Sequence, residues 1–216
     1  YGVDAVRFYM ARNVIFGLDG EFTPEQFIST INVDLANNLG NLANRTISMI
    51  NKYFDGKIPE ISVNLTDLDR NLHDLCLKTI QSYEVLNDDL KVTDAYASVM
   101  NLLSAANKYV QDSEPWTLAK DESKKDELAS CMSHLAHVLF LAGTLLEPIL
   151  VTKIPALFDQ LGIPDELRTY EAAVALNKLG GLKVNQPEPL FPRLKENEEV
   201  EYLKAVIASP KEKAAA

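Results

Sequence analysis

From Pro24 to Leu161 apolar residues recur at spacings of three and four, and almost nowhere do they alternate with polar ones over the length of a strand. That period commits the backbone to helices, each burying one stripe. The predicted segments are Pro24 to Phe54, with a bend near Asn32 to Asp34, then Leu65 to Leu86, Val92 to Val110, Pro115 through Glu147, and a continuation after Pro148 to Leu161. A shorter helix, "VDAVRFYMAR", precedes them. The second helix has a clear start: Thr23 as N-cap, Pro24 at the first helical position and Gln26 completing a capping-box pattern. Connections are short, so neighbours should run antiparallel, and the expected fold is all-α, an antiparallel helix bundle. The prolines and glycine pair of "LGGLKVNQPEPLFPRL" then imply an extended segment, followed by a short last helix, "NEEVEYLKAVIA", and a disordered ending. The expected division is a connector helix and loop over 1–22, the bundle over 23–180, and the extended segment, last helix and tail over 181–216.

Composition excludes several classes. With 47% hydrophobic and 24% charged residues the chain is neither disordered nor fibrous. The most apolar run, Leu135 to Ile149, carries His137, Gly143 and Glu147 and is broken by Pro148, short of the roughly 20 residues a membrane span needs, so it is expected to be a core helix. "YGVDAVRFYM" lacks the basic start and apolar block of a secretory signal, and the expected location is the cytoplasm. Cys76 and Cys131 then read as reduced core residues. His73 with Cys76, and Cys131 with His134 and His137, have three-residue spacing but no knuckle that would close a tetrahedron, so no metal site is expected. Nor do the three histidines and two cysteines supply a catalytic constellation. A net charge of −10 argues against general nucleic-acid binding, which depends on Lys and Arg neutralising phosphate, but leaves room for a small local site.

One helix is unusually rich in amides. In "NNLGNLANRTISMI", Leu35, Leu39, Leu42, Thr46, Met49, Ile50 and Tyr53 form the core stripe, while Asn38, Asn41, Arg45 and Lys52 share its flank. The simplest reading is a solvated flank; against it, Asn lowers helix propensity, and amide beside guanidinium suits the reading of base edges. The single tryptophan, Trp116, follows Pro115 at a helix start expected to be capped by Asp112 or Ser113. Its ring can plug the bundle end or serve as a platform for an unstacked base. On the residues alone, an RNA-binding module and an acidic helical interaction or scaffold domain both stand. They differ at Trp116, which a scaffold would bury and a reader would leave accessible beside Arg45.

Together these stretches resemble the methionyl-tRNA synthetase family. "LGNLANRTISMINKYFDGKIP", "NKYVQDSEPWTLAK" and the late "LFPR" follow the motifs of its C-terminal anticodon-binding helix bundle, and "YGVDAVRFYMARNVIFGLDGEF" resembles the segment after the signature loop of its catalytic domain. The resemblance implies a class I aminoacyl-tRNA synthetase anticodon-binding domain that reads the CAU anticodon of methionine tRNA. Asn41 and Arg45 would contact the anticodon, Trp116 would stack on one of its bases, and Pro115 would shape the loop. Asn38, Lys52, Asn107 and Lys108 are further candidates for RNA contact. No "HIGH" or "KMSKS" signature occurs, so no catalytic residue and no cofactor is expected in this chain. ATP and Mg would belong to a catalytic domain of the same polypeptide, and homodimerisation to a further C-terminal domain. The nearest alternative is the corresponding domain of another class I synthetase; the Pro-Trp pair with "LFPR" favours methionine.

Overall fold

The computed structural model describes residues 1–15, 17–61 and 65–209. The expected tail lies, from Pro210 on, outside them. Among the described residues the elements are helical, with one isolated bridge between Lys57 and Lys183. The helices are α1 (Val3–Asn13), α2 (Pro24–Thr30), α3 (Asn41–Phe54), α4 (Asp67–Asp88), α5 (Val92–Ser113), α6 (Pro115–Leu118), α7 (Lys125–Leu146), α8 (Lys153–Leu161), α9 (Tyr170–Val174) and α10 (Glu196–Ala208).

The expected bend between α2 and α3 is a run of wider turns, a π segment over Ile31–Gly40. Asn41 N–H donates to Ala36 O, five residues back, where an α-helix would reach four. Gly40 permits the turn, because a Cβ there would lie 3.2 Å from the Leu35 carbonyl oxygen. Leu35, Leu39, Leu42, Thr46 and Ile50 are buried as the period requires, whereas Met49 and Tyr53 are half-buried at the core margin.

Helix ends follow local chemistry, with three departures from expectation. At α4, Thr66 and Asp69 complete a capping box in both directions, which moves the helix start to Asp67. At α2, Thr23 caps Gln26 N–H, but the Gln26 side chain does not return the bond; its Oε1 accepts from the Tyr9 hydroxyl at 3.0 Å. The expected helix from Pro115 through Glu147 is two. Asp121 accepts from Ser123 N–H at 2.9 Å, stopping α6 and opening a 3₁₀ turn, Glu122–Lys124, ahead of α7.

α7 is the central helix. Its most apolar stretch is 89% buried within the molecule, and α3, α4, α5, α8 and α9 all pack on it. Each Leu or Phe it encloses stabilises the fold by about 1.5–3 kcal/mol. α1 closes one end of the bundle. Asp4, only 2% exposed, accepts from the N–H groups of Thr152 and Lys153 at 3.0 and 2.8 Å and so caps α8, while Arg7 Nη2 donates to Pro148 O at 2.7 Å.

Residues 181–195 form an extended strap rather than a loose linker. Leu190 and Phe191 are buried, and Asn185 N–H donates to Gln160 O at 2.8 Å. Farther on, Leu194 and Asn32 bond reciprocally: Leu194 N–H to Asn32 Oδ1 at 2.8 Å, and Asn32 Nδ2 to Leu194 O at 3.1 Å. α10 then packs on α2 through buried Val200.

Candidate nucleic-acid interface

The π segment decides which amides of the asparagine-rich stretch face outward. A uniform 3.6-residue period groups Asn38 with Asn41 and Arg45, but the wider turns rotate Asn38 towards α5. Its Nδ2 donates to Met100 O at 3.2 Å and Ser104 Oγ at 2.9 Å. Asn107 completes the lock, donating to Asn38 O and Oδ1, both at 2.9 Å, and to Leu103 O at 3.0 Å. Both amides are thus engaged between helices. Ser104 belongs to this lock although nothing in the sequence singled it out; its place three residues before Asn107 on α5 is the only signal it offered.

Asn41 and Arg45 lie on the regular α3 phase and face outward. Asn41 is exposed, and its one bond among the described residues, to Asn37 Oδ1, is 3.5 Å long, leaving most of its capacity open. Arg45 is half-buried and, among the described residues, has neither an ion pair nor a hydrogen bond. Lys52, seven residues along the same face, is exposed with its Nζ 5.1 Å from the Tyr53 ring centroid. Lys108 is partnered instead, to Asp112 at 2.7 Å.

Trp116 is presented by a tight chain reversal. The cap of α6 is neither Asp112 nor Ser113 but Glu114, in left-handed backbone at φ 43° without a side-chain capping bond, since α5 runs on through Ser113 and keeps both of those residues helical. Thr117 N–H and Leu118 N–H both return to Glu114 O, at 2.7 and 3.1 Å, and buried Pro115 fixes the first helical position. The indole is 38% exposed, and its N–H meets no acceptor among the described residues.

These side chains lie along two neighbouring stretches of the bundle. Asn38 meets Ser104 near the start of the run, and Tyr53 and Phe54 line a cavity of about 130 Å³ with Leu118 and Ala119 at its end. The π–α3 stretch and α5–α6 therefore run side by side in one direction, which puts Arg45 and Trp116 on adjacent elements. An open amide, a guanidinium without a carboxylate among the described residues and a rigid indole can bond base edges, pair with phosphate and stack on an unpaired base.

His134, His137 and both cysteines serve the core. His134 and His137 place Nδ1 2.8 Å from the carbonyls of Ser130 and Ser133, and His137 Nε2 accepts from Leu179 N–H at 3.3 Å. Burial holds the His137 pKa well below its ordinary value, at about 4, and pushes the thiols of Cys76 and Cys131 up to about 12. Among the described residues no three of His, Cys, Asp and Glu converge on a metal-sized site.

Residues 58–210 match the family described as the anticodon binding domain of methionyl tRNA ligase, and residues 1–47 match class I (M) tRNA synthetases. The methionine–tRNA ligase of Bacillus subtilis is 45% identical over 205 residues, 94% of this chain and 31% of that protein. Methionine–tRNA ligase 1 of Bacillus cereus is 44% identical over 213 residues, 97% and 32% respectively. Among solved structures, the free form of Mycobacterium tuberculosis methionyl-tRNA synthetase superimposes with a TM-score of 0.85 at 31% identity, over 90% of this chain and 39% of that one. The chain therefore spans about a third of the length of the curated relatives it matches.

Proposed function

This chain belongs to the family of methionyl tRNA ligase anticodon-binding domains, and we propose that it reads the CAU anticodon of methionine tRNA for a catalytic portion of the same polypeptide. One observation carries the reading: the only tryptophan is left part-exposed at a helix start, on an element adjacent to an arginine with no acidic partner among the described residues. A scaffold would bury that ring and pair that charge. In the proposed complex the anticodon bases unstack, one lies on Trp116, and the others present their edges to Asn41 and Arg45. Pro115 holds the ring in place. Lys52 stands two turns along α3 as a phosphate contact.

The chemistry, attachment of methionine to tRNA with ATP and Mg, is assigned to the catalytic portion, and no step of it to residues of this chain. α1 offers that portion a contact: Val3, Val6 and Met10 form an exposed apolar stripe at helical spacing, within the residues that match class I synthetases. The test is binding of the 216-residue chain to labelled anticodon stem-loops, CAU against each single-base variant. Preference for CAU is expected; equal affinity for all loops would leave a general RNA contact and overturn the anticodon reading.

A further inference from the structure

Lys57 and Lys183 stand directly opposite each other across an antiparallel bridge. Ile58 N–H donates to Leu182 O and Val184 N–H to Gly56 O, each at 2.8 Å, so the bonds flank the lysines rather than join them. This is the non-hydrogen-bonded type of pair, in which the Cα atoms approach to about 4.5 Å and the side chains are closest. Like charges placed so are destabilising. Both lysines are exposed, and among the described residues neither pairs with a carboxylate; Asp55 and Glu60, close in sequence, make no ion pair with either.

The arrangement is held firmly. Asn51 Nδ2 donates to Asn185 O at 2.9 Å, and Asn185 Nδ2 to Asp159 O at 2.6 Å, pinning the strap beside α3 and α8. Gly162, at φ 67°, lets the strap approach so closely that a Cβ there would fall 1.9 Å from Lys183 O. The Lys183 side chain passes over Gly56, towards Asn51 at the end of α3. The partial negative charge of that helix end favours a cation nearby, but it does not account for two cations set face to face. In a chain of net charge −10, two exposed lysines whose backbones are held opposite each other are suited to an anionic guest.

We propose that the Lys57–Lys183 pair binds a backbone phosphate of the RNA whose loop meets Asn41, Arg45 and Trp116, a proposal that rests on the RNA reading above. Arg45 and Lys52 lie on one face of α3, about 10 Å apart along its axis, and the pair lies just beyond the helix end. A strand that follows α3 past Arg45 and Lys52 can reach the pair beyond the helix end.

The experiment is a salt titration of CAU stem-loop binding by the 216-residue chain, its K57Q/K183Q variant and its K57R/K183R variant, with thermal melting of each. The Gln variant should weaken binding equally for CAU and base-substituted loops. Its log affinity against log salt should be shallower by about 0.7, the share of the one single-stranded phosphate contact that is lost. Its melting temperature should stay level or rise as the repulsion goes, and the Arg variant should restore both affinity and slope. If wild type prefers CAU and the Gln variant keeps its affinity and slope, the pair is not a phosphate site while the anticodon reading stands. If no loop binds to wild type, both fall. A loss accompanied by a lower melting temperature that Arg does not reverse would assign the lysines to the end of α3 and overturn the proposal.

Discussion

Asn107 donates one amide to both the backbone and the side-chain oxygen of Asn38, joining the π segment to α5. Asn107→Ala leaves the buried side of Asn38 Oδ1 without its donor and removes the extra bonds to the helix carbonyls of Asn38 and Leu103, so it should cost about 1–3 kcal/mol in urea unfolding. Base preference in the remaining folded protein should be unchanged. A shift in CAU preference without loss of stability would instead put this amide in the RNA contact.

Trp116→Ala should separate binding from folding. The ring is 38% exposed and anchored by backbone bonds around Glu114 rather than by its own, so the melting temperature should hold nearly constant. Loss of one stacked base should weaken stem-loop binding by about 1–3 kcal/mol, roughly 5- to 150-fold. A large fall in melting temperature would identify the ring as core.

Arg45 and Asn41 should fail in different ways although they are neighbours on one helix face. Arg45→Gln removes a permanent charge and should make the salt dependence shallower by about 0.7. Asn41→Ala removes only donors and acceptors, so it should erode CAU preference and leave the salt slope intact. Identical losses on CAU and substituted loops, with identical slopes, would mean both act through helix stability.

His137 makes stability depend on pH. Its folded pKa, about 4, lies below the ordinary 6.5, because burial disfavours the imidazolium. The unfolded state therefore holds more protons between these values. The contribution is fully present above pH 6.5 and is lost as pH falls towards 4, on the order of 3 kcal/mol in all. Urea unfolding of wild type against His137→Gln at pH 7.5 and pH 5 should show the wild type losing more; parallel losses would place the titration elsewhere.

Gly162→Ala should free the strap. Positive φ alone disfavours alanine by roughly 1–2 kcal/mol, and the collision with Lys183 O adds to it. Hydrogen exchange should quicken at Val184 and Asn185, whose N–H groups bond Gly56 O and Gln160 O, while α4 and α5 keep their protection.

The helical class and the core stripe of α3 could be read from periodicity because each local turn votes for the same buried face. The exceptions depend on irregular backbone geometry or on partners that only the fold brings in. Asn38 turned inward because the π segment breaks the 3.6-residue phase, which no count of apolar spacing reveals. Gln26 left its capping box for Tyr9, and Glu114 displaced both expected caps because α5 runs on through Ser113. For the site, the flank carrying Asn41 and Arg45 was legible from spacing, whereas the absence of a carboxylate beside Arg45 among the described residues is a property of the assembled surface. Lys57 and Lys183 lie far apart in the chain, and only the bridge makes them a pair.

The reciprocal bonds of Asn32 and Leu194 span 162 residues, and that separation sets a timetable for synthesis. At translation rates of about 5–20 residues per second, Asn32 waits roughly 8–32 s after its own incorporation before Leu194 exists. The α4–α5 hairpin needs no such delay, since its two helices are contiguous and joined by a short turn. The nascent chain thus acquires its middle helices first, and the region around the π segment closes last, when the strap arrives over it.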